Sequence, residues 1–137
     1  MIQVICPVCG AVLEPQGTAW RCVQGHCFDV ARQGYVNLLT GTQKHSRHPG
    51  DTREMVAARR AFLDAGWYAP IAKTLADLVR RFCPEAASVL DAGCGEGYYL
   101  SQLGWVPERW GIDISRDAVR YAAARDRGAH WLTATAA

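Results

Sequence analysis

No stretch of the chain is apolar for long enough to span a bilayer. Its first residues, Met1 to Ile5, lack the basic start and the long apolar core of a secretory leader. These absences point to the cytoplasm, where thiols stay reduced. An excess of one charge is missing too: 15 Lys and Arg against 13 Asp and Glu leave +2, which by itself declares no polyanionic partner. Internal repeats and low-complexity tracts are absent. What remains is a chain of 137 residues, half of them hydrophobic, which is the size and composition of one globular domain.

What is present is unevenly placed. There are six cysteines, and in a reduced compartment they suggest metal binding or plain burial rather than disulfides. Cys6-Pro7-Val8-Cys9-Gly10 is a C-x-x-C knuckle that aims two sulfurs at one point. A hairpin over residues 12–21 follows, and then Cys22-Val23-Gln24-Gly25-His26. Cys6, Cys9, Cys22 and His26 have the spacing of a structural zinc site, which would hold together a segment too small for a core of its own. Cys27 competes with His26 for the fourth position. Four protein ligands leave no open position, so the zinc is expected to be structural.

Residues 41–52 are polar and broken by Pro49-Gly50, which reads as a linker. Asp51 reads as a helix cap, with Glu54 reaching back to it, for a helix that ends at Gly66. Met55, Val56, Phe62 and Leu63 share a face of that helix. Pro70 opens a second helix whose Ile71, Leu75, Leu78, Val79 and Phe82 recur at the helical period and are expected to be core. Cys83 and Cys94 read as small buried residues. Between 44 and 60, Lys44, Arg47, Arg53, Arg59 and Arg60 outnumber Asp51 and Glu54; taken alone, this is a solvated loop and helix face.

The stretch that organises the rest begins with the short apolar strand Ser88 to Leu90. It ends in Asp91 and breaks into Gly93-x-Gly95-x-Gly97 before a helix. Strand, glycine turn and helix open a nucleotide-binding α/β fold. A dinucleotide fingerprint would be G-x-G-x-x-G with a pyrophosphate on the helix. An aspartate facing that site would repel a pyrophosphate but suits an ammonium group. The stretch resembles motif I of the class I methyltransferases that use S-adenosylmethionine (SAM). A second strand, Trp110-Gly111-Ile112, leads to Asp113, an acid that can accept from both ribose hydroxyls. Asp91, Gly93, Gly95, Glu96, Gly97 and Asp113 are therefore the expected cofactor residues, with NAD and a purely structural turn as alternatives. A helix over 116–125 capped by Ser115 and a third strand near 130–134 follow. Three strands are fewer than the seven of a class I sheet, so the chain reads as a fragment or a truncated product. Its open edge and exposed apolar face favour self-association, a homodimer being one form of it, or poor stability.

The order of motifs along the whole chain resembles the 23S rRNA (guanine-N1)-methyltransferases. The matching pieces are Cys6-Pro7-x-Cys9, Cys22-x-x-x-His26-x-Phe28-Asp29, Gly34 to Leu39, Pro49-Gly50-Asp51, Ala58 to Gly66 and Leu90 to Tyr99. The resemblance implies the N-terminal half of such an enzyme: an α/β chain with a zinc-ribbon-like domain at 1–40, a linker and helices at 41–83, and the first, incomplete part of a Rossmann-like methyltransferase sheet at 84–137. It implies SAM as cofactor, large-subunit rRNA as partner, a zinc domain that helps bind RNA, and Tyr68 beside the cofactor. It also promotes Arg21, Arg32 and the 44–60 segment to RNA contacts. No residue reads as the base for the guanine N1 proton, so the chain alone is expected to be inactive. The competing readings are a methyltransferase acting on a small molecule or a protein, and a non-catalytic zinc and RNA-binding fragment.

Overall fold

The computed structural model describes residues 2–41 and 50–136. The N-terminal part is a meander of four antiparallel strands in the order β1-β2-β3-β4. They are β1 (Val4–Ile5), β2 (Val12–Gln16), β3 (Ala19–Cys22) and β4 (Cys27–Asp29). Gln16 pairs with Ala19, so only Gly17 and Thr18 make the β2–β3 turn. Gly17 has φ +63°, as a two-residue hairpin that matches the strand twist requires at its first position.

The second sheet is wholly parallel, in the order β5-β8-β7-β6. Its members are β5 (Tyr35–Asn37), β6 (Ser88–Ala92), β7 (Glu108–Asp113) and β8 (His130–Thr133). Between them run α1 (Arg53–Asp64), α2 (Ala69–Phe82), α3 (Tyr98–Ser101) and α4 (Arg116–Arg125). Side chains alternate between the two faces of a strand. Tyr35, Val89 and Trp131 accordingly turn to one face, where they join Val119, Ala122 and Ala123 of α4 in a buried cluster. Val36, Trp110 and Leu132 turn to the other, where they meet Val4, Cys6, Leu13 and Cys22 of the ribbon. The ribbon thus covers one face of the sheet and the helices cover the other.

Several expectations are revised. There are four strands in the parallel sheet rather than three, because Tyr35–Asn37 joins it beside β8. That strand lies before residue 40, so the second sheet reaches back across the division expected there. Thr52, not Asp51, caps α1: its side chain accepts from the Met55 N–H, while Asp51 pairs with Arg59. Val56 and Leu63 are buried, but Met55 and Phe62 are not. On α2 Ala72 is buried, and of the residues expected to be core only Val79 packs, half-buried, against the helix-side cluster. Ile71, Leu75, Leu78 and Phe82 are 41–72% exposed, as is Leu90 of the adjoining edge strand at 49%. The helical period holds, but nothing among the described residues covers that face. Cys94 is buried as expected, whereas Cys83 is exposed just beyond α2.

Candidate functional site

The ribbon brings Cys6, Cys9, Cys22 and His26 together, with all four ligand atoms within 4.8 Å of one another. Cys6 comes from the end of the β1 segment, Cys9 from its knuckle, Cys22 from the end of β3 and His26 from the turn into β4. The knuckle closes because Gly10 N–H donates to Cys6 O and Cys6 N–H to Ala11 O. The second turn closes through Gly25 N–H to Cys22 O. Tetrahedral zinc with ordinary bond lengths puts two sulfurs about 3.8 Å apart, and a sulfur and an imidazole nitrogen about 3.6 Å apart. Here Cys9 Sγ lies 3.7 Å from Cys22 Sγ, and His26 Nδ1 lies 3.6 Å from Cys6 Sγ and 3.4 Å from Cys22 Sγ. The residues fit the ion. Desolvation resists ionisation of Cys22, yet hydrogen bonds from the backbone at His26 and Gln24, with the His26 ring, bring its thiol down to about 6. Cys27 is exposed and outside the cluster, so the side chain that converges with Cys6, Cys9 and Cys22 is that of His26.

The second site lies at the carboxyl ends of β6, β7 and β8. Gly93 and Cys94 N–H both donate to Ile112 O, which folds the glycine turn back over β7. Asp113 anchors it: Gly95 N–H donates to Oδ2 at 2.9 Å and Ser115 N–H to Oδ1 at 2.8 Å. Gly93 and Gly95 have positive φ and open space where a Cβ would stand, so a ligand can lie against them. Gly97 is different, since a Cβ there would meet the Trp131 ring at 2.8 Å and Ala122 at 3.0 Å. It serves packing beneath the turn. A cavity of about 280 Å³ opens above, lined by Gly93, Ile112, Asp113, Ile114, Ala134 and Thr135 among others.

Asp91 sits on the neighbouring strand, paired through its backbone with β7, and its carboxylate has no hydrogen-bond partner among the described residues. Burial pushes its carboxyl up, and Asp113 nearby adds to the shift. Cys94 is pushed up strongly by burial and by the same two acids. Two half-buried carboxylates, neither ion-paired among the described residues, form a site that suits a positively charged, hydroxyl-bearing ligand and repels a pyrophosphate. Thr133, opposite Asp113 in the register, is fully buried, and its hydroxyl finds no hydrogen-bond partner among the described residues.

Glu96 does not join these residues. It is 2% exposed, accepts from Tyr98 N–H and is ion-paired with Arg125, which also reaches Asp64 on α1. The arginine ties the glycine turn, α4 and α1 together. Tyr68 stands at the start of α2, edge-on to Phe62 at 5.1 Å and near Tyr99, but outside the cavity. Of the basic residues, Arg21, Arg32 and Arg53 are exposed, and Arg59 and Arg60 pair with Asp51 and Asp64. Lys44 and Arg47 lie outside the described residues.

Sequence reasoning missed Arg125, Trp131 and Thr133. One signal was available: Gly111, inside a strand, marks a close approach, and a Cβ there would run into the Trp131 ring.

A ribbon with a Cys3His cluster seated on a parallel sheet, with an acid-flanked glycine turn at the strand ends, defines an α/β protein with an appended zinc-ribbon module. Residues 4–47 match the zinc-ribbon family described as RlmA, N-terminal. Over 86% of its length the chain is 45% identical to the 23S rRNA (guanine(748)-N(1))-methyltransferase of Streptomyces fradiae, covering 43% of that protein. It is 43% identical, again over 86% of its length, to a protein of Micromonospora griseorubida provisionally named a 23S rRNA (guanine-N(1)-)-methyltransferase, covering 46% of it. Streptomyces venezuelae DesVI, a solved structure, is 29% identical with a TM-score of 0.48, over 62% of this chain and 36% of that one. The chain is thus similar to these 23S rRNA (guanine-N1)-methyltransferases over most of its own length and spans about half the length of the curated relatives it matches.

Proposed function

We propose that the chain is the zinc-ribbon and cofactor-binding part of a cytoplasmic, SAM-dependent methyltransferase that acts on N1 of a guanine in 23S rRNA. The observation that carries the reading is the pair Asp91 and Asp113 beside the open backbone of Gly93 and Gly95. Asp91 would hold the ammonium group of SAM and Asp113 the ribose hydroxyls, while Gly93 and Gly95 admit the ligand to the backbone. Bound there, SAM supplies an activated methyl group on its sulfonium. The chain's own part is to orient the cofactor and keep water from it. Glu96 and Gly97 support the turn from beneath; Tyr68, outside the cavity at the start of α2, would stand beside the cofactor on the family resemblance alone. The names of the relatives support rRNA as the substrate. Exposed Arg21, Arg32 and Arg53 would meet phosphates. The free edge of β6 and the bare face of α2 are where further chain, or a second copy, would add.

Calorimetry tests the cofactor assignment. SAM is expected to bind weakly and NAD not at all. Asp113→Ala should lower SAM affinity roughly ten- to a hundredfold, because hydrogen bonds to a charged group contribute about 1.5–3 kcal/mol. Preference for NAD, or equal SAM affinity in the variant, would overturn the assignment.

A further inference from the structure

A second and larger cavity, about 680 Å³, opens at the opposite end of the same strands. Its floor is the amino end of the sheet, with Glu108 opening β7 and His130 opening β8, and its wall is the ribbon hairpin with Pro15 and Trp20. The volume is ordinary for a site that holds a small molecule or a nucleotide. The aromatic groups are fixed. Trp110 donates its indole N–H to Glu108 Oε1 at 2.8 Å. His130 stacks on Trp110 at 4.2 Å with planes 23° apart, and Trp20 meets Trp110 edge-on at 5.9 Å. His130 is itself exposed and lines the cavity, so the stack runs out to the cavity. Beside it are the second oxygen of Glu108 and the exposed cation Arg127.

We infer that this junction between ribbon and sheet binds a single unpaired nucleotide of the RNA, with its base continuing the Trp110–His130 stack. Stacking accepts any base, since each has a π face. Glu108 can accept from an exocyclic amino group, and Arg127 meets the phosphate by charge. Glu108 and Asp113 are five residues apart on β7, so the two ends of the sheet are separated by about 17 Å. The base held here is therefore not the one presented to the cofactor. It is an anchor that sets where along the RNA the other end falls. The ribbon then contributes a pocket wall, beyond any diffuse positive surface.

This inference rests on the proposed RNA substrate, and the experiment separates the two. The probes are two RNA hairpins with the same stem, one with a loop of unpaired purines and one with an abasic loop. Binding of the whole chain is followed by tryptophan fluorescence, and SAM binding is measured on the same sample by calorimetry. The purine loop should bind between about fivefold and a hundredfold more tightly than the abasic loop. His130→Ala and Trp20→Ala should each reduce that ratio to near one while SAM binding is unchanged. Metal analysis shows whether the ribbon is intact in the Trp20 variant, and the exposed His130 keeps the test valid if it is not. Equal binding of the two loops, an undiminished ratio in His130→Ala, or no RNA binding overturns the anchor pocket. SAM binding without loop discrimination overturns the pocket and leaves the cofactor assignment standing. Loop discrimination without SAM binding does the reverse.

Discussion

Arg125 is the side chain whose removal should reveal most. It pairs with two carboxylates that differ in one respect: Asp64 is 44% exposed and Glu96 is 2% exposed. A surface pair contributes about 0–1 kcal/mol, so Asp64→Ala should hardly move stability. Arg125→Met strands a buried carboxylate, and breaking such a pair costs about 3–5 kcal/mol. Glu96→Gln keeps an acceptor for the Tyr98 N–H and leaves a guanidinium that is 22% exposed and still within reach of water. That change should cost about 1–2 kcal/mol. In the double variant no charge is stranded, so its cost should fall at least 2 kcal/mol short of the sum of the two. The assay is urea unfolding of the zinc-loaded chain, read by tryptophan fluorescence over the four members of the cycle. Equal costs for Arg125→Met and Asp64→Ala, or a coupling under about 0.5 kcal/mol, would refute the reasoning.

Other outcomes follow from the same geometry. His26→Ala should lose zinc while Cys27→Ser keeps one ion per chain, as measured by metal analysis. Asp91→Asn should raise the denaturation midpoint at neutral pH and abolish SAM heat. The raised pKa of Asp91 means that the folded chain holds its proton to higher pH than the unfolded chain does. Stability therefore falls as pH climbs from the ordinary carboxylate range through the folded pKa, and the gain from Asn should vanish in acid below about 3.9. Gly111→Ala should cost about 1–3 kcal/mol in the same urea assay, because its methyl group would overlap the buried Trp131 ring.

The metal site was legible because its chemistry is local: four ligands within 21 residues, two knuckles and a hairpin leave few other arrangements. The glycine turn was legible for the same reason, and Asp113 because it ends the next strand. Glu96 was not. Its place in the motif suggested the cofactor, but an arginine 29 positions later claims it, and no local pattern announces such a partner. The face of α2 was read correctly as apolar and incorrectly as buried, since periodicity reports what a helix offers and says nothing of whether a neighbour is present. β5 was missed because a strand of three residues has too little sequence to declare itself.

That short strand also dictates an order of events. Tyr35 pairs with Trp131, so the ribbon's exit strand finds its place only once almost the whole of this sequence exists. The zinc ligands, by contrast, are complete by residue 26. On a ribosome the metal-bound ribbon can close early and then waits, its inner face bare, through the synthesis of the helices and three more strands. Closing so long a loop is slow. Docking of ribbon onto sheet should therefore be a late step in maturation, and the ribbon would spend the interval as a small independent body tethered to the growing chain.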